Sequence, residues 1–319
     1  MFLQILIIVV SAAMVIYGAE RLTGGASSLA RKLQMPEMVI GLTVVAFGTS
    51  MPEFCISLVA ALNGSTDMAV GNVVGSNIAN TMLIIGMTAA IAPIAITSGS
   101  LRKDMPFALM ASVVLTLLCT DSLHIRLSGN VVSRLDGAFL LLLFALFLWY
   151  TLKTARTGKS SQDTTSTSQD TNHKKDISVW WVLPGLALLI GGSQLFTDAA
   201  TALARDMQVS EGFVGLTIVA LGTSLPELAT SIVAAAHGRS ALAIGNVIGS
   251  NVFNILWILG ATAVICPLQI YGVQMSDLLI MVASMFILWF FAFTNHRVER
   301  WEGVVLTTLY VAYMVWLVA

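Results

Sequence analysis

The chain has 319 residues, 57% hydrophobic and 10% charged, with a net charge of −1 and a mean hydropathy of +0.86. That composition excludes a soluble enzyme or a nucleic-acid-binding domain and is that of a polytopic membrane protein, with the lipid bilayer as its surroundings. The near-zero net charge carries little information about partners, because the basic residues are sorted into particular loops.

Taken in chain order, apolar windows fall at about 2–31, 37–62, 68–95, 104–119, 134–153, 179–205, 212–237, 242–266, 275–293 and 302–318. Each is near or above the ~20 residues that a bilayer requires of a helix, which predicts an all-α membrane protein with ten transmembrane helices. The opening run from Phe2 to Tyr17 has no basic flank before it and continues into a repeated segment, so it is read as a mature helix and not a signal peptide. The first and sixth windows would form helices of roughly 45 Å, longer than the hydrocarbon core, and are expected to lie tilted. The window at 104–119 is short and is expected to extend past its ends or to cross a thin region. Cys55, Cys119 and Cys266 lie far apart in apolar segments without CxxC spacing, which argues against a disulfide or a thiolate metal site.

Between the fifth and sixth windows, Thr157 to Asp176 consists mainly of Ser, Thr, Gln, Asp and Lys and lacks an apolar face. Such a segment cannot offset its own ordering entropy and reads as a flexible linker. It separates two halves that match without a gap: Glu53 and Glu227 differ by 227 − 53 = 174, and the same offset joins Gly18 to Gly192, Arg31 to Arg205, Gly71 to Gly245 and Pro93 to Pro267. From Gly41 to Gly86 about half the positions recur in the second copy. The expected organisation is a first repeat over 1–154, a cytoplasmic linker over 155–178 and a second repeat over 179–319. Five spans per repeat is an odd number, so the second copy enters the membrane from the opposite side and the repeats are inverted. With the N-terminus outside, the cytoplasmic loops hold Arg31, Lys32, Arg102, Lys103, Lys153, Arg156, Lys159, Lys174, Lys175, Arg239, Arg297 and Arg300. The opposite loops hold only Arg126, Arg134 and Arg205, so both termini are placed outside.

The chemistry is concentrated in Gly48-Thr49-Ser50-Met51-Pro52-Glu53 and its repeat Gly222-Thr223-Ser224-Leu225-Pro226-Glu227. Proline has no N–H to offer the carbonyl four residues back, so each helix should break there and free backbone oxygens. Thr49, Ser50 and Glu53 fall at i, i+1 and i+4, which puts two hydroxyls and a carboxylate on one face, and Thr223, Ser224 and Glu227 repeat this. The next helix carries Asn72, Ser76 and Asn80 as a stripe, with Asn246, Ser250 and Asn254 as counterparts. Ionisable groups at membrane depth mark ion or substrate pathways by default, and here two occur in like surroundings. Brought together about a two-fold axis in the membrane plane, these residues form a cage of oxygen ligands without nitrogen or sulfur. Such a cage suits Ca²⁺ and Na⁺ better than Zn²⁺ or Cu²⁺.

Other features read as structural. The Gly71-x-x-x-Gly75 and Gly245-x-x-x-Gly249 pairs are also helix-packing signals, and a single Asn in a span is as often interhelical glue as a ligand. Glu20 and Asp198 have no acidic counterparts and are assigned to polar helix ends. His124, His173, His237 and His296 fall in loops or at span ends, which argues against a histidine proton relay.

The segments Gly41-Leu42-Thr43 through Glu53 and Gly71 through Asn80, repeated from Gly215 to Asn254, resemble the two alpha-repeats of the sodium/calcium exchanger family, of a prokaryotic type. The resemblance implies a secondary antiporter and not an enzyme, exchanging Na⁺ for Ca²⁺ by alternating access, with no cofactor beyond the transported ions. It implies that the long first and sixth helices slide against the other eight, and that the protein sits in a bacterial inner membrane. It further implies Ca²⁺ ligation by Glu53 and Glu227 with the backbone oxygens of Thr49 and Thr223. Flanking Na⁺ sites would draw on Ala46, Ser50 and Ser76 in one repeat and on Ala220, Ser224 and Ser250 in the other. Asn254, matching Asn80, stands where some relatives carry an aspartate associated with potassium dependence. H⁺/Ca²⁺ exchange or K⁺-dependent Na⁺/Ca²⁺ exchange on the same scaffold stay open as alternatives. A cation channel fits the inverted, broken helices less well. An intramembrane hydrolase using Ser50 or Ser224 lacks a general base.

Overall fold

The apolar runs fold as helices that stop where the sequence supplies a turn. The computed structural model describes residues 2–120, 131–157, 177–207, 220–270 and 272–318. Helix α1 (Phe2–Leu33) ends at Gln34, whose positive φ of 54° precedes Pro36, and α2 (Glu37–Thr49) starts immediately after that proline. Helix α3 (Met51–Leu62) turns at Asn63-Gly64 into α4 (Thr66–Ile91). Gly64 has φ +83° and its repeat Gly238 has φ +74°, a left-handed conformation that glycine adopts without the Cβ penalty. There follow α5 (Met105–Cys119), α6 (Arg134–Thr157), α7 (Val182–Asp206), α8 (Ala220–Thr223) and α9 (Leu225–Ala236). The chain closes with α10 (Ser240–Ile265), α11 (Met275–Asn295) and α12 (Arg300–Val318).

Among the described residues six helices are long and apolar enough to cross a membrane, or seven when the bent pair α2 and α3 counts as one span. The protein is therefore a multi-pass, nearly all-helical membrane protein. The short window at 104–119 does extend at its start, because a π-helical turn over Ser100–Asp104 runs into α5. Helix α6 continues to Thr157, and the linker expected over 155–178 lies from 158 to 176 outside the described residues, as does the first part of the window at 212–237.

Helices α4 and α10 are each 78% buried over their apolar windows, whereas α1 and α7 are only 22% buried. The former are thus the centre of the molecule and the latter a peripheral pair. Hydrophobicity does not drive helices together in lipid, so close packing depends on small residues. A Cβ on Gly18 of α1 would lie 2.7 Å from Leu189 N, and one on Gly185 of α7 would lie 2.6 Å from Leu22 N. The α1–α7 pair is held together along this contact.

An all-helical reading missed four two-residue strands: β1 (Ile94–Ala95), β2 (Val131–Val132), β3 (Leu268–Gln269) and β4 (Arg297–Val298). They pair antiparallel and across the halves, β1 with β4 (Ile94 opposite Val298) and β2 with β3 (Val132 opposite Leu268). Helix contacts are exchanged in the same way. A Cβ on Gly86 would sit 2.9 Å from Gly303 O, and one on Gly137 would sit 2.7 Å from Gly260 O. Gly86 and Gly260 are related by the 174-residue offset, so the end of α4 meets α12 just as the end of α10 meets α6.

Candidate functional site

Pro52 and Pro226 break their helices as the motif requires. The axes of α2 and α3 differ by 46° across Ser50, whose φ and ψ are −84° and 6°. Ser224 has nearly the same values, −89° and 3°. Each break starts a new helix whose first turn carries the glutamate. The helices that follow, α4 and α10, contain wide turns over Ala79–Ile84 and Phe253–Ile258, so Asn80 and Asn254 sit on π-helical backbone, a form concentrated at functional sites.

The two breaks meet at the centre. Glu53 and Glu227 are each 1% exposed. Ser50 Oγ donates to Glu227 Oε1 across the halves at 3.0 Å, and Ser250 Oγ donates to the same oxygen at 3.4 Å. The arrangement is not symmetric, since among the described residues no hydroxyl donates to the Glu53 carboxylate. Oε2 of Glu53, Oε2 of Glu227, Oδ1 of Asn80, Oδ1 of Asn254 and Oγ of Ser224 are all buried without a hydrogen-bond partner. Buried oxygens of this kind are costly unless something satisfies them. A cation would. Among the described residues no three His, Cys, Asp or Glu side chains cluster, so the donor set is two carboxylates plus neutral oxygens, suited to a hard ion.

The remaining candidates are placed as follows. Thr49 is fully buried, and its hydroxyl donates to Asn246 Oδ1 at 3.2 Å and to Ala46 O at 3.3 Å. Ala46 is itself buried, and its carbonyl also accepts from Ser50 N at 3.0 Å. Ser76, 5% exposed, and Thr223, half-buried, line a cavity of about 470 Å³ that also reaches Asp67, Asn72 and Asp277. Ala220 lies in α8, but its side chain lies outside the described residues. Glu20 and Asp198 are exposed, Asp198 accepting from Gln194 at 3.0 Å, and neither belongs to the cage. His237 and His296 end helices; His124 and His173 lie outside the described residues.

One layer escaped the sequence reading. Asn72 Nδ2 donates to Glu53 O at 3.3 Å and to Ser57 Oγ at 2.9 Å. Asn246 Nδ2 does the same to Glu227 O at 3.4 Å and to Ser231 Oγ at 3.1 Å. Ser57 and Ser231, both fully buried, stand one turn after each glutamate, and that recurrence at i+4 was the signal available. Asn77 and Asn251, related by the same offset, are both buried, Asn77 Nδ2 donating to Val73 O at 2.7 Å and Asn251 Nδ2 to Thr81 Oγ1 across the halves at 2.9 Å.

Comparison with known proteins gives a consistent picture. A family model described as sodium/calcium exchanger protein matches residues 3–153 and 177–319. The chain is 39% identical to the inner membrane protein YrbG of Escherichia coli, over 85% of this chain and 82% of that one. It is 32% identical to the sodium/calcium exchanger MaX1 of Methanosarcina acetivorans, over 97% of each. Among solved structures it is similar to the sodium-calcium exchanger NCX_Mj, with a TM-score of 0.83 and 28% identity over 99% of both chains.

Proposed function

The chain belongs to the sodium/calcium exchanger protein family, and from that premise we propose that the oxygen cage between its two broken helices is the ion site of a secondary antiporter exchanging Na⁺ for Ca²⁺. The observation that carries this reading is the set of partnerless buried oxygens on Glu53, Glu227, Asn80, Asn254 and Ser224. Two carboxylates compensate one Ca²⁺ or two Na⁺, so one set of ligands serves both ions in turn, as exchange through a shared site requires. In this reading Glu53 and Glu227 hold Ca²⁺ with the carbonyls of Thr49 and Thr223. Na⁺ is held on either side by the Ser50, Ser76 and Ala46 oxygens and by those of Ser224, Ser250 and Ala220.

We further read the chain as ten spans in two inverted repeats, 1–154 and 179–319, joined by a cytoplasmic linker, with both termini outside a bacterial inner membrane. The exchanged pairing of β1 with β4 and β2 with β3 supports the two-fold relation. Inverted repeats around a midplane site are the architecture of alternating access. The experiment is Ca²⁺ uptake into proteoliposomes under imposed Na⁺, H⁺ or K⁺ gradients. Uptake driven by outward Na⁺ alone supports the proposal; uptake driven by a pH gradient without Na⁺ replaces it with proton exchange, and a requirement for K⁺ replaces it with the potassium-dependent form.

A further inference from the structure

The ion site makes no use of Arg21, the only basic residue of α1 before its last turn. Its guanidinium carbon stands 4.5 Å from the centre of the Tyr17 ring and 4.9 Å from the Trp181 ring, and the two rings meet edge to face at 6.4 Å. The faces of aromatic rings attract a cation without neutralising it. A guanidinium has five N–H donors and no acceptor. Nε of Arg21 is buried without a hydrogen-bond partner, and among the described residues no carboxylate pairs with the group. Glu20, its neighbour in the chain, is exposed, and consecutive positions on a helix do not face each other.

The depth of this aromatic box follows from the packing of α1 on α7. The two helices run antiparallel: a Cβ on Gly192 would meet Val15 N at 3.1 Å, one on Gly185 would meet Leu22 N at 2.6 Å, and one on Gly25 would meet Val182 N at 3.0 Å. Arg21 is therefore level with Gly185, about one turn from the start of α7. Trp180 and Trp181 stand immediately before α7, and Trp180 is 86% exposed; tryptophans at the end of a span mark the membrane interface. Ile16 is 61% and Leu183 74% exposed, so both helices are bare to lipid at this level. An arginine one turn inside an aromatic belt extends its charge to the headgroup layer. The box is not part of the repeat: the 174-residue offset puts Gly191 against Tyr17, Leu195 against Arg21 and Ile7 against Trp181. It belongs to one face of the membrane, and the two-fold ion site does not require it.

We propose that Arg21, Tyr17 and Trp181 form a binding site for the phosphodiester of an anionic phospholipid, in the leaflet where α7 begins. The phosphate oxygens accept from the guanidinium in paired geometry, while the two rings fix the plane of its fork. Charge complementarity selects a lipid of net negative charge, because a zwitterionic headgroup brings a second cation beside an arginine that has no carboxylate to offset it. One ring comes from α1 and the other from the turn into α7, so a single bound lipid bridges the two helices at their crossing.

The test uses the full chain in a neutral detergent with phosphatidylglycerol, phosphatidylcholine or inorganic phosphate added. Two quantities are read, the lipid retained in native mass spectrometry and the unfolding temperature. The parent should retain one phosphatidylglycerol and unfold at a higher temperature with it, and phosphatidylcholine or phosphate at the same concentration should do neither. Arg21→Gln should lower the affinity for phosphatidylglycerol about tenfold or more, the weight of one charge-assisted hydrogen bond. Tyr17→Leu removes one ring and keeps the charge; it should lower the affinity severalfold, and it carries the test if Arg21→Gln does not fold. The double variant Arg102→Gln/Lys103→Gln removes two exposed cations elsewhere and should bind as the parent does. Parental affinity in Arg21→Gln or, in its place, Tyr17→Leu would overturn the proposal and leave Arg21 as a staple between two helices. Equal stabilisation by phosphatidylcholine would overturn it as a general lipid effect, and equal stabilisation by phosphate would replace the lipid with a free anion. An equal loss in the Arg102→Gln/Lys103→Gln variant would reduce it to unspecific surface charge.

Discussion

Replacing Glu53 or Glu227 by glutamine keeps the side-chain shape and removes one of the two charges in a site where each residue is 1% exposed. The cage then carries a single negative charge, and bound Ca²⁺ leaves one positive charge uncompensated away from water. Breaking a buried charge pairing costs on the order of 3–5 kcal/mol. At about 1.4 kcal/mol per tenfold, Ca²⁺ affinity should fall a hundredfold or more in each variant. The effect on the fold has the opposite sign. Without ions the two carboxylates repel, so ion-free Glu53→Gln and Glu227→Gln protein should unfold at the same temperature as the parent or higher. Glu227 Oε1 accepts from Ser50 and Ser250, a role that a glutamine carbonyl oxygen retains. Ligand stabilisation follows RT ln(1 + [L]/Kd), about 2.7 kcal/mol at a hundred times Kd, so the Ca²⁺-induced rise in unfolding temperature should disappear in both variants. The assays are isotopic Ca²⁺ uptake into Na⁺-loaded proteoliposomes and thermal unfolding in detergent with and without Ca²⁺. Near-parental flux in either variant, or an intact Ca²⁺-induced stabilisation, would refute the reasoning.

Three other outcomes follow from the same geometry. Asn246→Ala leaves Glu227 O and Ser231 Oγ without their donor in a fully buried setting and should cost about 1–3 kcal/mol, whereas Asn72→Ala, on the cavity side, should cost less; detergent unfolding temperatures check the order. Gly303→Ala places a Cβ 2.5 Å from Gly86 O and should destabilise by about 1–3 kcal/mol, which the unfolding temperature in detergent checks. Ser76→Ala and Ser250→Ala should raise the Na⁺ concentration that half-saturates exchange more than the Ca²⁺ concentration; equal shifts in both would assign those hydroxyls to Ca²⁺ instead.

How much of this was legible in the sequence depends on whether a feature is local or relational. The helix breaks were legible, because Pro52 and Pro226 act on their own carbonyl four residues back, and the structure bends at Ser50 and carries the same backbone at Ser224. The stripe containing Ser76, Asn80, Ser250 and Asn254 was legible from spacing alone. The short strands were not: β1 and β4 are two residues each and owe their existence to partners about two hundred positions away, with no periodicity of their own. The contacts of Asn72 and Asn246 were half-legible, since the stripe marked the asparagines but nothing in a single helix says that their amide nitrogens would hold the preceding glutamate backbone.

The unequal treatment of the two glutamates could not be read at all, and the reason is physical. Two copies with the same motif residues offer each carboxylate equivalent hydroxyls, so the sequence sets the contacts available and not which carboxylate takes them; among the described residues Ser50 and Ser250 both donate to Glu227 Oε1. A neutral hydrogen bond worth about 1 kcal/mol shifts the balance between two such arrangements about fivefold, which is small enough for a bound ion to reverse. What the repeat fixes is that the same glutamates stand at the two helix breaks in either arrangement, and this is the condition under which one ion site can be offered to both sides of a membrane in turn.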